Sequence, residues 1–273
     1  MNNLFDLSGQ VAIVTGATKG IGRAIAERLA QHGACVAVSS RSADDCAKVA
    51  SELNARYGDI AIGVSADLGD LNSLQSLVDA TLARWGRIDT LVCNAARLGY
   101  HGSSADTPAA DFEEGLRNNI HHNFRLCHMV LPQMRERRSG SIVFISSGAG
   151  LLATPEVFAY GVQKAGVNHM ARTLAAEVAP YNIRVNAVCP GLIRSAASQP
   201  IWENPAALTA IESGIPLGRM GEPDEIAAAV IFLASSGGAY TTGNILAIDG
   251  GKAHLPSLAT GATLVDSFTS RQS

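Results

Sequence analysis

Seven short apolar runs, each followed by a stretch of helical period or an irregular connection, constrain this chain more than any other feature. They read VAIVTG (11–16), CVAVSS (35–40), AIGVSAD (61–67), DTLVCNA (89–95), SIVFISS (141–147), IRVNAVCPG (183–191) and NILAIDGG (244–251). Helical patterns occupy 20–33, 42–57, roughly 70–86, roughly 108–138, a segment opening at Thr154, and 222–235. Short β-branched runs alternating with helices are parallel strands joined by helical crossovers. The pattern predicts one α/β domain over 1–251, a doubly wound, mostly parallel seven-stranded sheet with helices on both faces. Residues 194–220 are long for a loop in a compact domain, which predicts a lid holding a short helix. The C-terminal tail 252–273 is polar, rich in Ser and Thr and weakly patterned; it is disordered or packs on a neighbouring subunit.

In open parallel sheets, ligands bind outside the carboxyl ends of the strands. The unusual residues of this chain gather at those ends: Gly16, Arg41, Asp67, Asn94, Ser147 and Pro190–Gly191. TGATKGIG (15–22) follows the first run and opens a helix. Gly16, Gly20 and Gly22 let backbone approach a pyrophosphate, and the helix N-terminus favours an anion. Three glycines can also make a mere tight turn, so the strand–turn–helix context carries this reading. An NAD site usually ends its second strand on an acid that binds the ribose hydroxyls. Here that end reads SSRS, Ser40 then Arg41, with Lys19 in the glycine loop. Two cations and no acid point to the 2′-phosphate of NADP(H).

In FAYGVQKAGVNHMAR (158–172), Tyr160 and Lys164 stand four apart and share a helix face. Thr154 is the expected cap, Pro155 and Glu156 the first turn, and Val157, Val162, Ala165, Met170 and Leu174 the apolar stripe. A cation ~5 Å from a phenolate gains ~3 kcal/mol at an effective dielectric of ~20, about two pKa units. Such a phenol becomes a proton donor and acceptor near neutral pH. Alone, the pair reads as a surface tyrosine and a solvated lysine; its company decides.

That company is TGATKGIG (15–22), DL (67–68), NAA (94–96), NN (118–119), Ser147, YGVQK (160–164), PG (190–191) and DGG (249–251), with Ser147 thirteen residues before Tyr160. In this order, over 8–251, the chain resembles the short-chain dehydrogenase/reductase family, in particular its 3-oxoacyl reductase-like members. The resemblance implies a Rossmann fold, an NADP(H) cofactor and hydride transfer between NADP(H) and a ketone or secondary alcohol. It implies that Tyr160 exchanges a proton with the substrate oxygen and that Lys164 lowers the phenol pKa and holds the nicotinamide ribose. Ser147 bonds the carbonyl or alcohol, and Asn119 supports a proton-relay water. It places Thr18, Lys19 and Ile21 in the phosphate loop, Asp67 and Leu68 at the adenine, and Asn94 and Ala95 beside the central strand. Pro190, Gly191, Ile193 and Ser195 fall in the loop at the nicotinamide. Two departures stand out. Gln163 replaces the Ser usual before the lysine, so it reshapes the wall near the cofactor. His121 and His122 stand where small or apolar residues are common and are read as subunit-contact or solvent residues.

The net charge of −3 with no basic stripe excludes a nucleic-acid partner. MRERR (134–138) reads as a solvated helix end. Five scattered cysteines without a C-x-x-C read as buried free thiols in a reducing compartment, and no metal site is expected. No signal-peptide pattern and no apolar run near ~18 residues is seen, so a cytoplasmic protein without a membrane partner is expected. Leu98, Tyr100, Leu151, Leu152, Phe158, Ile201 and Trp202 are the expected apolar walls for a small-molecule ketone or alcohol. The family resemblance implies a homotetramer. The competing readings are an NADP(H)-binding regulatory protein without turnover and an epimerase or dehydratase of the family's extended branch, whose glycine motif is spaced differently.

Overall fold

The strands form where β-branched runs could be buried on both faces. In the computed structural model, which describes residues 3–255, they are β1 Val11–Thr15, β2 Cys35–Ser40, β3 Ala61–Ser65, β4 Thr90–Cys93, β5 Gly140–Ile145, β6 Ile183–Pro190 and β7 Ile245–Ile248. They pair in the order β3-β2-β1-β4-β5-β6-β7. Every pairing is parallel, where the sequence predicted a mostly parallel sheet. The winding reverses between β1 and β4, which opens a crevice at their carboxyl ends.

Nine α-helices among the described residues connect the strands: α1 Gly20–Gln31, α2 Ala43–Tyr57, α3 Leu71–Trp85, α4 Ala109–Leu116, α5 His122–Arg137, α6 Phe158–Val178, α7 Gln199–Trp202, α8 Pro205–Glu212 and α9 Pro223–Ala234. Side chains alternate across each strand. Val14, Val38, Val92, Val143 and Val188 pack with Ile25, Leu29, Leu53, Ile226 and Val230 of α1, α2 and α9. Ile13, Leu91, Ile142, Phe144 and Val185 meet Leu77, Leu126, Val130 and Val167 of α3, α5 and α6 on the other face. Each such side chain taken from water contributes about 1.5–3 kcal/mol, so a one-residue slip of register would forfeit the gain on both faces at once.

Four expectations are corrected. The long helix at 108–138 is α4 and α5 joined by a π-helical turn, Arg117–His121, with Asn119 at its centre. The helix expected to start at Thr154 starts at Phe158, because Glu156 takes a left-handed φ of 69° and its carbonyl accepts from the Gly102 amide. Of its expected apolar stripe only Leu174 is buried. The packed face is Ala159, Gln163, Lys164, Val167, Asn168, Ala171, Leu174, Ala175 and Val178. The 194–220 segment holds the 3-10 turn Ala196–Ser198 and two short helices, α7 and α8, rather than one. All five cysteines are free, and four of them are buried. Most of the expected tail, 256–273, lies outside the described residues.

Candidate active site

The glycine loop is shaped by close approach. A Cβ on Gly22 would stand 2.2 Å from the Gly16 carbonyl oxygen, and Gly16 and Gly20 have φ of 63° and 55°. Asn94 holds the loop: its Nδ2 donates to the carbonyls of Thr15 at 2.8 Å and Gly16 at 3.1 Å. The Thr15 hydroxyl accepts from the Asn94 and Ala95 amides, both at 3.0 Å, which locks the ends of β1 and β4 together. Ser42 caps α2 and Asp70 caps α3, but Lys19 makes no side-chain cap on α1, and the first turn of α1 has no acid. The amides at this helix start are therefore free for an external anion. A Cβ on Gly20 would lie 3.5 Å from the Ser195 Cβ, so the loop after β6 closes on the glycine loop. Ile193 in that loop is buried and bridges to Gly221, and Gly191 packs against Asp249 too closely to carry a side chain. Pro190 ends β6 beside Gly148.

At the end of β2, Ser40 is half-buried, with its hydroxyl 3.2 Å from the Cys46 thiol. Arg41 and Lys19 are exposed, and neither has an ion pair among the described residues. Thr18 and Ile21 are half-buried beside them. Asp67 turns its carboxylate onto the Gly69 amide at 2.8 Å, and Leu68 is half-buried next to it.

Tyr160 and Lys164 project from the first two turns of α6 over the end of β5. The Lys164 ammonium is buried, donates to the Ile145 carbonyl at 2.8 Å and lies 5.4 Å from the centroid of the Tyr160 ring. Burial lowers its pKa to about 8. The Tyr160 phenol is pushed up by burial, and its hydrogen bond with Ser147 opposes this only in part. The expected depression of the phenol by Lys164 does not appear here: the ammonium lies over the ring, and burial sets the direction of the shift. The Ser147 hydroxyl also accepts from the Ala149 amide at 3.1 Å, which fixes it at the mouth of the loop after β5.

Asn119 is fully buried, and its Nδ2 donates to the Arg97 carbonyl at 2.7 Å and the Gln163 Oε1 at 2.6 Å. Its Oδ1 accepts from the Arg97 amide at 2.8 Å. Both side-chain N–H groups are spent, so the water-holding role expected of Asn119 does not fall to them. Gln163 faces away from the glycine loop, toward α4 and the π turn, which corrects the expectation that it reshapes the cofactor wall. His122 is buried rather than a solvent residue, and burial lowers its pKa; His121 is exposed.

Sequence reasoning missed several supporting groups. The Ser146 hydroxyl donates to the Lys164 carbonyl at 3.2 Å. Asn168 donates to the Gly150 carbonyl at 3.1 Å and accepts from the Cys189 thiol at 3.4 Å. No local pattern announces these contacts, because each joins residues 18 or more apart in the chain. Of the expected substrate walls, Leu98, Leu152 and Phe158 are exposed, with Phe158 stacked on Phe112 at 6.3 Å. Tyr100, Leu151, Ile201 and Trp202 are half-buried, and the Trp202 indole N–H donates to the Ser195 carbonyl at 3.0 Å. Among the described residues, no three His, Cys, Asp or Glu are grouped to hold a metal ion.

This arrangement has counterparts. A family model described as enoyl-(acyl carrier protein) reductase matches residues 16–253. The chain is 37% identical over 245 residues to the dehydrogenase/reductase SDR family member 4 of Bos taurus, covering 90% of this chain and 88% of that one. It is also 37% identical over 248 residues to the 3-oxoacyl-(acyl-carrier-protein) reductase FabG of Thermotoga maritima, covering 90% and 98%. The solved NADP active-site complex of Pseudomonas aeruginosa RhlG superposes with a TM-score of 0.87 at 36% identity, covering 93% of this chain and all of that one. Together with the parallel seven-stranded sheet, the glycine loop and the Tyr160–Lys164 pair, these matches show that the chain belongs to the short-chain dehydrogenase/reductase family of oxidoreductases.

Proposed function

We propose that this oxidoreductase is NADP-preferring and interconverts a small ketone and its secondary alcohol. The observation that carries the reading is the buried Lys164 beside Tyr160 and Ser147, at the strand ends next to the uncapped start of α1. The cradle of Gly16, Gly20 and Gly22 fits a pyrophosphate, since side chains there would fill it. Lys19 and Arg41 would hold the 2′-phosphate, and Lys164 the nicotinamide ribose. A bound nicotinamide supplies or takes the hydride. The chain's own groups handle the proton. Burial keeps the Tyr160 phenol protonated near neutrality, so in reduction Tyr160 donates its proton to the substrate oxygen. In the oxidising direction it accepts that proton back. Ser147 donates to the same oxygen as negative charge develops there. The lid over 194–220 and the loops 97–104 and 148–158 exclude water.

The substrate is read as a free small molecule rather than a carrier-bound one. Of the basic cluster, Arg135 bonds the Tyr181 hydroxyl at 2.6 Å, Arg137 the Asp89 carboxylate at 2.9 Å and Arg138 the Pro180 carbonyl at 2.7 Å. Arg137 is neutralised by Asp89, Arg135 and Arg138 remain exposed, and the neighbouring end APYN (179–182) adds no cation, so the charge offered to an acidic carrier is small. The test follows nicotinamide absorbance over a panel of ketones and alcohols, with one acyl-carrier substrate beside its small thioester analogue. Turnover of small ketones with comparable efficiency on the thioester pair supports the reading. A gain of about 100-fold with the carrier, ~2.7 kcal/mol of docking energy, overturns the free-substrate part. Tight NADPH binding with no turnover anywhere favours a regulator.

A further inference from the structure

Gln163 occupies the position immediately before Lys164, is 2% exposed, and aims its amide away from the candidate active site's glycine loop. Its Oε1 accepts from Asn119 Nδ2 at 2.6 Å. Asn119 in turn grips both the amide and the carbonyl of Arg97, at 2.8 and 2.7 Å. The same loop is held from its other side by α4: Asp111 accepts from the Arg97 guanidinium at 2.9 Å and from the Tyr100 amide at 2.7 Å. The chain has made room for the Gln163 amide. A Cβ on Gly115 of α4 would stand 2.1 Å from Gln163 Nε2. A serine at 163 would be too short to span from α6 to the π turn.

We infer that Gln163 is a positioning residue which, through Asn119, sets the 97–100 segment as a substrate wall in register with Tyr160 and Lys164, and that Gly115 is its obligatory partner. The inference rests on the proposed carbonyl chemistry for its kinetic consequence, but its geometric part does not. If Gln163 lets go of Asn119, one amide hydrogen of a buried side chain loses its acceptor, and the grip on Arg97 loosens. The substrate wall then wanders while the cofactor cradle, built from Gly16, Asn94 and the start of α1, keeps its own hydrogen bonds. The signature is a split: carbonyl affinity suffers and cofactor affinity does not.

The experiment compares wild type with Gln163→Met, which keeps the length and loses the acceptor, with Gly115→Ala, with Gln163→Ser, and with the double variant Gln163→Ser with Gly115→Ala. Gln163→Met is expected to raise the ketone KM about tenfold, the size of one buried hydrogen bond, with NADPH affinity within about twofold. Gly115→Ala should do the same, because its methyl displaces the Gln163 amide. Adding Gly115→Ala to Gln163→Ser should cost nothing further, since the clash is gone. Hydrogen exchange of the Arg97 amide should accelerate in every one of these variants. This arm reads the positioning even in a protein that turns over no ketone, so failure of the proposed function and failure of this inference are told apart. Unchanged Arg97 exchange in Gln163→Met, equal losses of ketone and cofactor affinity, or additive effects of the 115 and 163 changes would each overturn it.

Discussion

At the residue scale, the proposed function gives three cations, Lys164, Lys19 and Arg41, different tasks at the cofactor. Lys164 is buried with its pKa lowered to about 8, so it is mostly charged at neutral pH and neutral above that value. If its ammonium holds the ribose, NADPH affinity weakens as pH rises through about 8 and is steady below it. Fluorescence titration between pH ~7 and ~9.5 checks this, and Lys164→Ala should give weak, pH-independent binding. A flat wild-type profile would remove Lys164 from the cofactor site. Arg41 and Lys19 are exposed, and in the proposed reading they hold the 2′-phosphate. Two such charge-assisted contacts, discounted for exposure, should then favour NADPH over NADH by roughly ten- to a thousand-fold. Ser40→Asp with Arg41→Ala should reverse that ratio of kcat/KM at fixed ionic strength, because the new acid repels the phosphate and binds ribose hydroxyls. Equal efficiencies in the wild type would make both cations solvated bystanders. The glycine loop and the Tyr160–Lys164 pair could be picked out in the sequence because each is encoded locally, on one turn or one helix face. The role of Gln163 could not, because its partners Gly115 and Asn119 are distant in the chain and meet it only after α4 has packed on α6.

At the element scale, strands and long helices were legible from period, and helix ends were not wherever a tertiary contact outbid a local signal. The capping signals at Thr154–Glu156 lose to a loop whose Glu156 carbonyl ties to Gly102, so α6 begins later than its sequence advertises. The π turn was hidden for a similar reason: one extra residue in the helix carries Asn119 inward, and no propensity marks it. Arg184 is a third case. In IRVNAV it looks like a polar residue on a strand face, yet its guanidinium reaches the C-terminus of α9. There it donates to the carbonyls of Leu233, Ala234, Ser235 and, at 3.0 Å, Gly238. Burial lowers its pKa from an ordinary value high enough to leave it charged. Arg184→Met should destabilise by about 3 kcal/mol, since the last carbonyls of α9 lose a charged donor. Denaturant unfolding measures this, and a loss under ~1 kcal/mol would show that water replaces the guanidinium without penalty.

At the scale of the whole molecule, the outward faces of α5 and α6 carry apolar groups with no cover in one chain. Phe124 and Val162 are each 41% exposed, and Ala165 lies exposed on the same face of α6. Leu217 and the fully exposed Tyr240 lie elsewhere, near the end of the sheet that holds β7. The α5–α6 patch suits one two-fold contact of the homotetramer that we propose for this chain. Light scattering at micromolar concentration should give four chain masses, and Phe124→Glu with Val162→Glu should lower the mass without lowering helix content. A monomeric wild type would contradict it. The doubly wound parallel sheet was legible in the alternation of apolar runs and helices, while its strand order β3-β2-β1-β4-β5-β6-β7 was not. Assembly was not legible either, because exposed apolar residues on one chain do not say what covers them. Among the described residues no helix is long and apolar enough to cross a membrane.

The most direct test of the central claim, that Tyr160 carries the proton for hydride transfer, is turnover by Tyr160→Phe on a ketone the wild type reduces. The variant loses one hydroxyl from a buried ring, so fold and NADPH affinity should be retained. Turnover should fall by about a thousandfold or more, the worth of a positioned general acid together with its hydrogen bond to the substrate oxygen. Turnover near the wild-type rate, with cofactor bound normally, would contradict the account.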